Sequence, residues 1–364
     1  MSLAEKGSSA KVNGILREAL DGRSITKAEA EFLLSFPESS LEASLIRSIA
    51  NIVSRKRFQN SALLLGQIGV AMAPCEGDCS FCAHAKSHTN IEPLTLSVDE
   101  VITRCEGFAR GGAQGVLLMT MHQFDFDWFL DLCSTLRKSI SPSLEILANV
   151  GDIGLDQLRA LRDAGVSGAY HVCRLREGTD THITPRRRRE TIEWILEAGM
   201  AWYNSCDPIG PEHTPHELAE QIWLGVELPC RQHAAMRRFP VPGSPLYQKG
   251  QISLVRLAQI VAVIALATSR QEDMTSIAVH EPNVIGLMSG ANAFYPEAGE
   301  PPRECNPDSI SEQEQRGFTS ALWRQKSEAT TADCREMLAA AGFSQLIGTP
   351  GEMPLMLGPQ SMPE

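Results

Sequence analysis

Ala62-Leu63-Leu64-Leu65-Gly66-Gln67-Ile68-Gly69-Val70-Ala71-Met72 reads as a buried strand, and the alternation downstream of it decides the fold. Ser97-Val98-Asp99-Glu100 is a capping box, in which Ser97 caps a helix and Glu100 reaches back. The helix runs to Arg110 and stops at Gly111-Gly112. Val116 to Met121 then reads as a second strand. The cycle repeats along the chain. Strands are expected at 144–149, 168–175, 201–206, 234–239 and 276–280, with helices at 155–164, 190–198, 215–226 and 252–268 between them. A helix through Trp128-Phe129-Leu130 separates the second strand from the third. Asn292-Ala293-Phe294-Tyr295 supplies an eighth strand. Strands that alternate with helices imply a parallel sheet with right-handed crossovers. About eight such units predict an α/β fold, a TIM-type (β/α)8 barrel over residues 63–296. An open doubly wound sheet is the other architecture with this pattern.

The flanks differ from the core. Residues 1–62 carry apolar positions at helical spacing and read as an N-terminal helical extension. Residues 297–364 read as a polar loop, helices over 311–342 that form a C-terminal helical cap, and a Pro-, Gly- and Met-rich tail.

Composition excludes several function classes. The 364 residues carry 33 Lys and Arg against 44 Asp and Glu, a net charge of −11, which disfavours a nucleic-acid backbone as partner. The basic run Arg186 to Arg189 is too short to alter that. The longest apolar run, Ile260 to Ala267, is too short to span a membrane and reads as a buried helix. The N-terminus Met1-Ser2-Leu3-Ala4-Glu5-Lys6 is no secretory signal, so the expected compartment is the cytoplasm. Ten cysteines are too sparse for a disulfide scaffold. Most are scattered, with core packing as their default role.

Three cysteines are not scattered. Cys75-Glu76-Gly77-Asp78-Cys79-Ser80-Phe81-Cys82 comes directly after the first strand, at the end of the barrel where such folds place active sites. Three thiolates in one short loop suit three corners of a [4Fe-4S] cluster and leave the fourth iron open. A structural zinc site is the alternative, with His84 or His88 as fourth ligand.

The C-x3-C-x2-C spacing, with Phe81 before the last cysteine, resembles the radical S-adenosyl-L-methionine (radical SAM) superfamily. Three further segments resemble its biotin synthase-like branch, which includes biotin synthase, the FeFe-hydrogenase maturase, methylornithine synthase and the iron-guanylylpyridinol cofactor methylase. They are Asp207 to Thr214, Pro242 to Leu246 and Ser289 to Asn292. The resemblance implies a [4Fe-4S] cluster on Cys75, Cys79 and Cys82 and SAM on its open iron. It also implies reductive cleavage of SAM and a 5′-deoxyadenosyl radical acting on a small-molecule substrate. An electron donor such as flavodoxin or ferredoxin is implied as partner, with no nucleic acid and no membrane.

Carried over residue by residue, the resemblance gives SAM contacts at Phe81, Thr120, His122, Arg174, Glu177, Ile209 and Gly210. Backbone groups near Thr120 and His122 face the methionine amine, although the branch's Gly-Gly-Glu is absent there. Arg174 suits the carboxylate, Glu177 the ribose hydroxyls, and Ile209-Gly210 the adenine. Substrate contacts are expected from Tyr203, Asp207, His280 and Glu281, polar groups at or near strand ends, with His171 and Asn204 as further lumen candidates. No catalytic acid, base or nucleophile is assigned. Positions corresponding to the sulfur-donating second cluster of biotin synthase fall near Leu118, Leu147 and Tyr203, none of which ligates iron. Cys173 and Cys206 are candidates for the lumen or for buried packing. The segments from Tyr170, Asp207 and Val279 look closest to the pyridinol-cofactor methylase, which points to C-methylation in cofactor biosynthesis. Sulfur insertion, a carbon-skeleton rearrangement and a zinc-stabilised scaffold are the alternatives.

Overall fold

The computed structural model describes residues 3–89, 92–298 and 330–347. Eight parallel strands close into a barrel: β1 (Ser61–Met72), β3 (Gly115–Thr120), β4 (Glu145–Asn149), β5 (Val166–Tyr170), β6 (Ala201–Ile209), β7 (Gln232–Arg237), β8 (Ser276–Val279) and β9 (Ala293–Phe294). Closure comes from β9, which pairs with β8 on one side and with Leu63 and Leu64 of β1 on the other. The doubly wound alternative is thereby excluded, because an open sheet has two unpaired edges.

Helices α4 (Val98–Arg110), α5 (Phe126–Ser139), α6 (Leu155–Asp163), α7 (Pro185–Glu197), α8 (Pro215–Glu227) and α9 (Leu254–Ala267) form the crossovers, with the short α10 (Val284–Leu287) between β8 and β9. The Ser97–Glu100 capping box of α4 forms as the sequence predicts, with both reciprocal hydrogen bonds present. Such a cap contributes about 1 kcal/mol. α7 starts five residues before the expected Glu190, because Thr184 caps it and Pro185 takes the first turn. β7 begins at Gln232, two residues before the expected Ala234. The short β2 (Leu94–Thr95), antiparallel to the end of β1, has no counterpart in the sequence reading.

On the N-terminal side, α1 (Leu3–Leu20), α2 (Lys27–Leu34) and α3 (Leu41–Arg57) pack outside the barrel. α2 and α3 cover α9, which is why every residue of α9 from Leu257 to Ala267 is buried. Beyond β9, the two-residue β10 (Glu297–Ala298) runs parallel to β1 beside Gln67 and Ile68. Further along, α11 (Thr331–Ala340) leads to β11 (Gln345–Leu346), which pairs with the start of β1. The helical reading of 311–329 and the tail from Gly348 lie outside the described residues.

Strand alternation sorts the side chains into two cores. Leu64, Ile68, Val116, Leu118 and Ile146 face the helices. Leu63, Leu65, Leu117, Leu147, Tyr203, Ala234, Ala278 and Ala293 fill the lumen. Continuing the inward positions along each strand changes their character: Gln67, Met119, Asn149, Tyr170, Asp207, Met236 and His280 line a cavity at the C-terminal mouth. The barrel is thus plugged with apolar side chains below and is polar above. Cys173 and Cys206 belong to the outer core and not to the lumen.

Candidate active site

The cavity measures about 1300 Å³ counting its open end. Cys75, Cys79 and Cys82 all line it. Their loop is held by backbone bonds to its surroundings. Cys75 N–H donates to His84 O at 2.7 Å, Ser80 N–H to Asp180 O at 2.8 Å and His182 N–H to Gly77 O at 3.1 Å. Asp78 has φ of 43°, in the left-handed region, and its carboxylate accepts from Ser87 N–H at 2.9 Å. Gly77 packs tightly: a Cβ there would lie 3.2 Å from Ile183 Cδ1 and 3.5 Å from Cys75 Sγ. Gln123 braces the loop from β3's end, with its side-chain amide bonding Glu76 N–H and Pro74 O, both at 2.8 Å.

The donor set fits an iron–sulfur cluster. Burial pushes the Cys79 thiol up to about 12, so a thiolate at neutral pH needs a bound cation beside it. The zinc alternative lacks a ready fourth ligand in His88, whose Nε2 bonds Cys82 O at 3.0 Å and whose Nδ1 bonds Ser87 Oγ at 3.0 Å. Among the described residues no three His, Cys, Asp or Glu side chains gather as they do around a single ion.

A charged network forms the wall beyond the loop. Arg174 lies 3.8 Å from Asp207 and 3.9 Å from Glu177, contacts longer than hydrogen bonds. Burial works against its charge, yet Glu177, Cys79 and Asp207 hold its pKa above the ordinary arginine value. Arg176 adopts φ of 56°, which turns the chain so that Glu177 accepts from Arg174 N–H at 2.9 Å. Asp207 accepts from Tyr170 Oη at 2.7 Å, and burial raises its pKa against the pull of Arg174. Deeper in the wall, Asp152 Oδ1 accepts from His171 Nε2 at 2.9 Å, Thr191 Oγ1 at 3.2 Å and Arg188 at 3.4 Å. Burial lowers the pKa of His171 to about 4 and, less strongly, that of His122.

The sequence-derived candidates separate into two groups. Phe81, Thr120, His122, His171, Arg174, Asp207 and His280 line the cavity with the cysteines. The others do not. Glu177 sits behind Arg174, bonded to Thr181 Oγ1 at 2.5 Å. Ile209 is buried, and Gly210 supports the wall: a Cβ there would stand 2.5 Å from Arg238. Tyr203 faces the lumen as expected, but one layer too low, with its hydroxyl 3.4 Å from Glu145 at the opposite end of the barrel. Glu281 is bound to Arg237 through two hydrogen bonds of 2.5 and 2.6 Å. Asn204 points to His233 at 3.4 Å, within the outer layer.

Sequence reasoning missed Asp152, Arg188 and Arg238. Arg188 and Arg238 line the cavity although they are only 5% and 2% exposed. Arg188 hid in a basic run that reads as a solvated face, and α7's early start turns it inward. Period-two counting along β7 from Ala234 through Met236 would have found Arg238.

No family model matches the chain. Biotin synthase of Desulforudis audaxviator is 24% identical over 306 residues, covering 81% of this chain and 92% of that protein. Biotin synthase of Pelotomaculum thermopropionicum is 25% identical over 296 residues, covering 78% and 91%. Among solved structures, methylornithine synthase superposes with a TM-score of 0.68 at 18% identity, over 77% of this chain and 85% of the other. The FeFe-hydrogenase maturase of Carboxydothermus hydrogenoformans gives 0.68 at 13% identity, over 92% and 85%. Both agree with the barrel described above.

Proposed function

We propose that the chain is a radical SAM enzyme of the biotin synthase-like branch, a reading its 24–25% identity to biotin synthases supports, and that its mouth cavity binds a [4Fe-4S] cluster, SAM and a small-molecule substrate. The observation that carries this reading is the shared cavity, which Cys75, Cys79, Cys82, Arg174 and Asp207 all line. When bound, the reduced cluster and SAM supply hydrogen-abstracting chemistry. The chain's own residues bind, orient and shield. Cys75, Cys79 and Cys82 hold the cluster. Arg174, with its guanidinium loosely paired, is available to take the carboxylate of SAM bidentately. Thr120 and Phe81 line the cavity beside it. Asp207 and Tyr170 offer a hydrogen-bonding edge to the substrate, and His280 flanks them. The apolar plug of Leu63, Leu65, Leu117 and Leu147 keeps water from entering below, a condition for reactive carbon chemistry. A one-electron donor such as flavodoxin or ferredoxin supplies the reducing equivalent.

The finer reading is C-methylation of a small molecule in cofactor biosynthesis, supported by the segments around Tyr170, Asp207 and His280. Similarity to biotin synthases favours sulfur insertion as the second reading. Against it, lumen positions Leu147 and Tyr203 offer no ligand to a second cluster. Iron analysis after anaerobic reconstitution tests both. About four irons per chain are expected for a single [4Fe-4S] cluster. Clearly more would favour sulfur insertion, and stoichiometric zinc without iron would overturn both.

A further inference from the structure

Helix α3 turns an apolar face to solvent. Its inner side is conventional: Ala43, Ile46, Ala50 and Ser54 are buried, and Ser54 Oγ donates to Gly290 O at 2.6 Å. The fully exposed positions are Leu41, Leu45, Ser48, Ile52 and Lys56, which fall three or four residues apart and so form one stripe. Leu41 is 71% exposed, Ile52 52% and Leu45 36%. A surface helix ordinarily presents charged and polar residues on this side. The stripe runs about 22 Å along the helix at the usual rise per residue. Near the end of α3, Arg55 Nη2 lies 4.0 Å from Met288 Sδ, and there α10 and its cap add the exposed side chains of Val284, Ile285 and Met288. Single exposed apolar residues are ordinary, but a stripe of them rimmed by polar groups marks a surface that a partner covers.

We infer that this stripe is a self-association surface, on which α3 packs antiparallel against α3 of a second copy of the chain across a two-fold axis. The order of residues along the stripe matches that arrangement. With the axis between Ser48 and Ile49, Leu45 faces Ile52 of the second copy and Leu41 faces the aliphatic stem of Lys56. The short Ser48 lies at the crossing, where small side chains let two helices approach. Charge follows the same register. Glu42, in the first turn, is fixed by a hydrogen bond from Ser9 Oγ at 2.7 Å. In the last turn, Arg55 and Arg57 are engaged by the carbonyls of Ala341 and Thr268, so Lys56 is the cation turned outward. Antiparallel copies set Glu42 beside Lys56 at both ends, whereas parallel copies would set like charges together. A lipid surface fits less well, because Glu42 stands at one end of the stripe and the chain carries a net charge of −11. The surface lies outside the barrel, and the inference is independent of what the mouth cavity binds.

Analytical ultracentrifugation of the full chain over a series of protein concentrations tests this. The expected species has twice the 39.8 kDa mass of the chain. Leu45→Glu and Ile52→Lys should each weaken association by about tenfold or more, because each buries a charge without a partner. Both positions are exposed in the single chain, so the fold tolerates the charges, and circular dichroism with thermal unfolding verifies that it does. Leu45→Glu and Ile52→Lys combined in one chain set opposite charges against each other across the axis. That double variant should associate more tightly than either single variant, a rescue that neither misfolding nor a parallel pairing produces. A wild-type chain that is monomeric at about 100 μM overturns the inference, whether residues 348–364 or a different protein then cover the stripe. A dimer that both single variants leave intact also overturns it, as does a double variant no tighter than the singles.

Discussion

Arg174 and Tyr203 show how much a single side chain's height in the barrel matters. Both come from strand ends or strands that face the lumen. Only Arg174 reaches the cavity, while the Tyr203 hydroxyl lies near Glu145 at the far end. Arg174→Gln should therefore raise the dissociation constant for SAM by about tenfold or more, the scale of a lost charge-assisted hydrogen bond. Tyr203→Phe should leave it within about twofold, since that hydroxyl's bond is remote and long. Calorimetric titration of the two variants decides the point, and comparable losses would show that the layer assignment is wrong. The cysteine loop was legible because its spacing is local. Arg188 and Asp152 were not, because their burial depends on where α7 begins and on which neighbours converge in space.

At the scale of elements, the ends of β3 and β4 approach so closely that Gly151 is obligatory. A Cβ there would lie 1.8 Å from the carbonyl oxygen of His122, and a backbone atom cannot yield as a flexible side chain does. Gly151→Ala should cost about 1–3 kcal/mol and lower the melting temperature by several degrees. Gly107 is the contrast, inside α4 with open space where a Cβ would stand. Gly107→Ala should stabilise by about 0.5–1 kcal/mol through helix propensity. Thermal unfolding of both variants should give shifts of opposite sign; a neutral Gly151→Ala would contradict the close approach. The same elements show what sequence can deliver. Helix caps and glycine stops set most boundaries, so the strand–helix alternation was readable. β2 was not, because a two-residue strand leaves no periodic signal, and α7's start depended on Thr184-Pro185, which outweighs the apolar pattern that begins at Glu190.

For the whole molecule, the barrel carries buried imidazoles that tie its stability to pH. His233 is fully buried, with Nδ1 donating to Ala234 O at 3.1 Å and Nε2 left to accept from Asn204 Nδ2 at 3.4 Å, and burial lowers its pKa to about 4. As pH falls below the ordinary histidine value of about 6.5, the unfolded chain takes up a proton that the folded chain refuses. Stability is thus full above that value and declines as pH drops toward 4. Urea unfolding across this window should show the decline, and His233→Gln should make it shallower; an unchanged slope would assign the decline to other groups. Closure of the barrel was legible from the count of units. Its division into an apolar plug and a polar mouth emerged only from the strand registers.

Radical SAM chemistry in this cavity has a signature product, 5′-deoxyadenosine, whose formation from SAM can be assayed without knowing the substrate. The protein is purified and reconstituted without oxygen, reduced, and given SAM. The expected outcome is 5′-deoxyadenosine above the no-enzyme control, and none from Cys79→Ala, which should also fail to retain the cluster. Undiminished 5′-deoxyadenosine from Cys79→Ala would contradict the assignment of this chemistry to the cysteine loop.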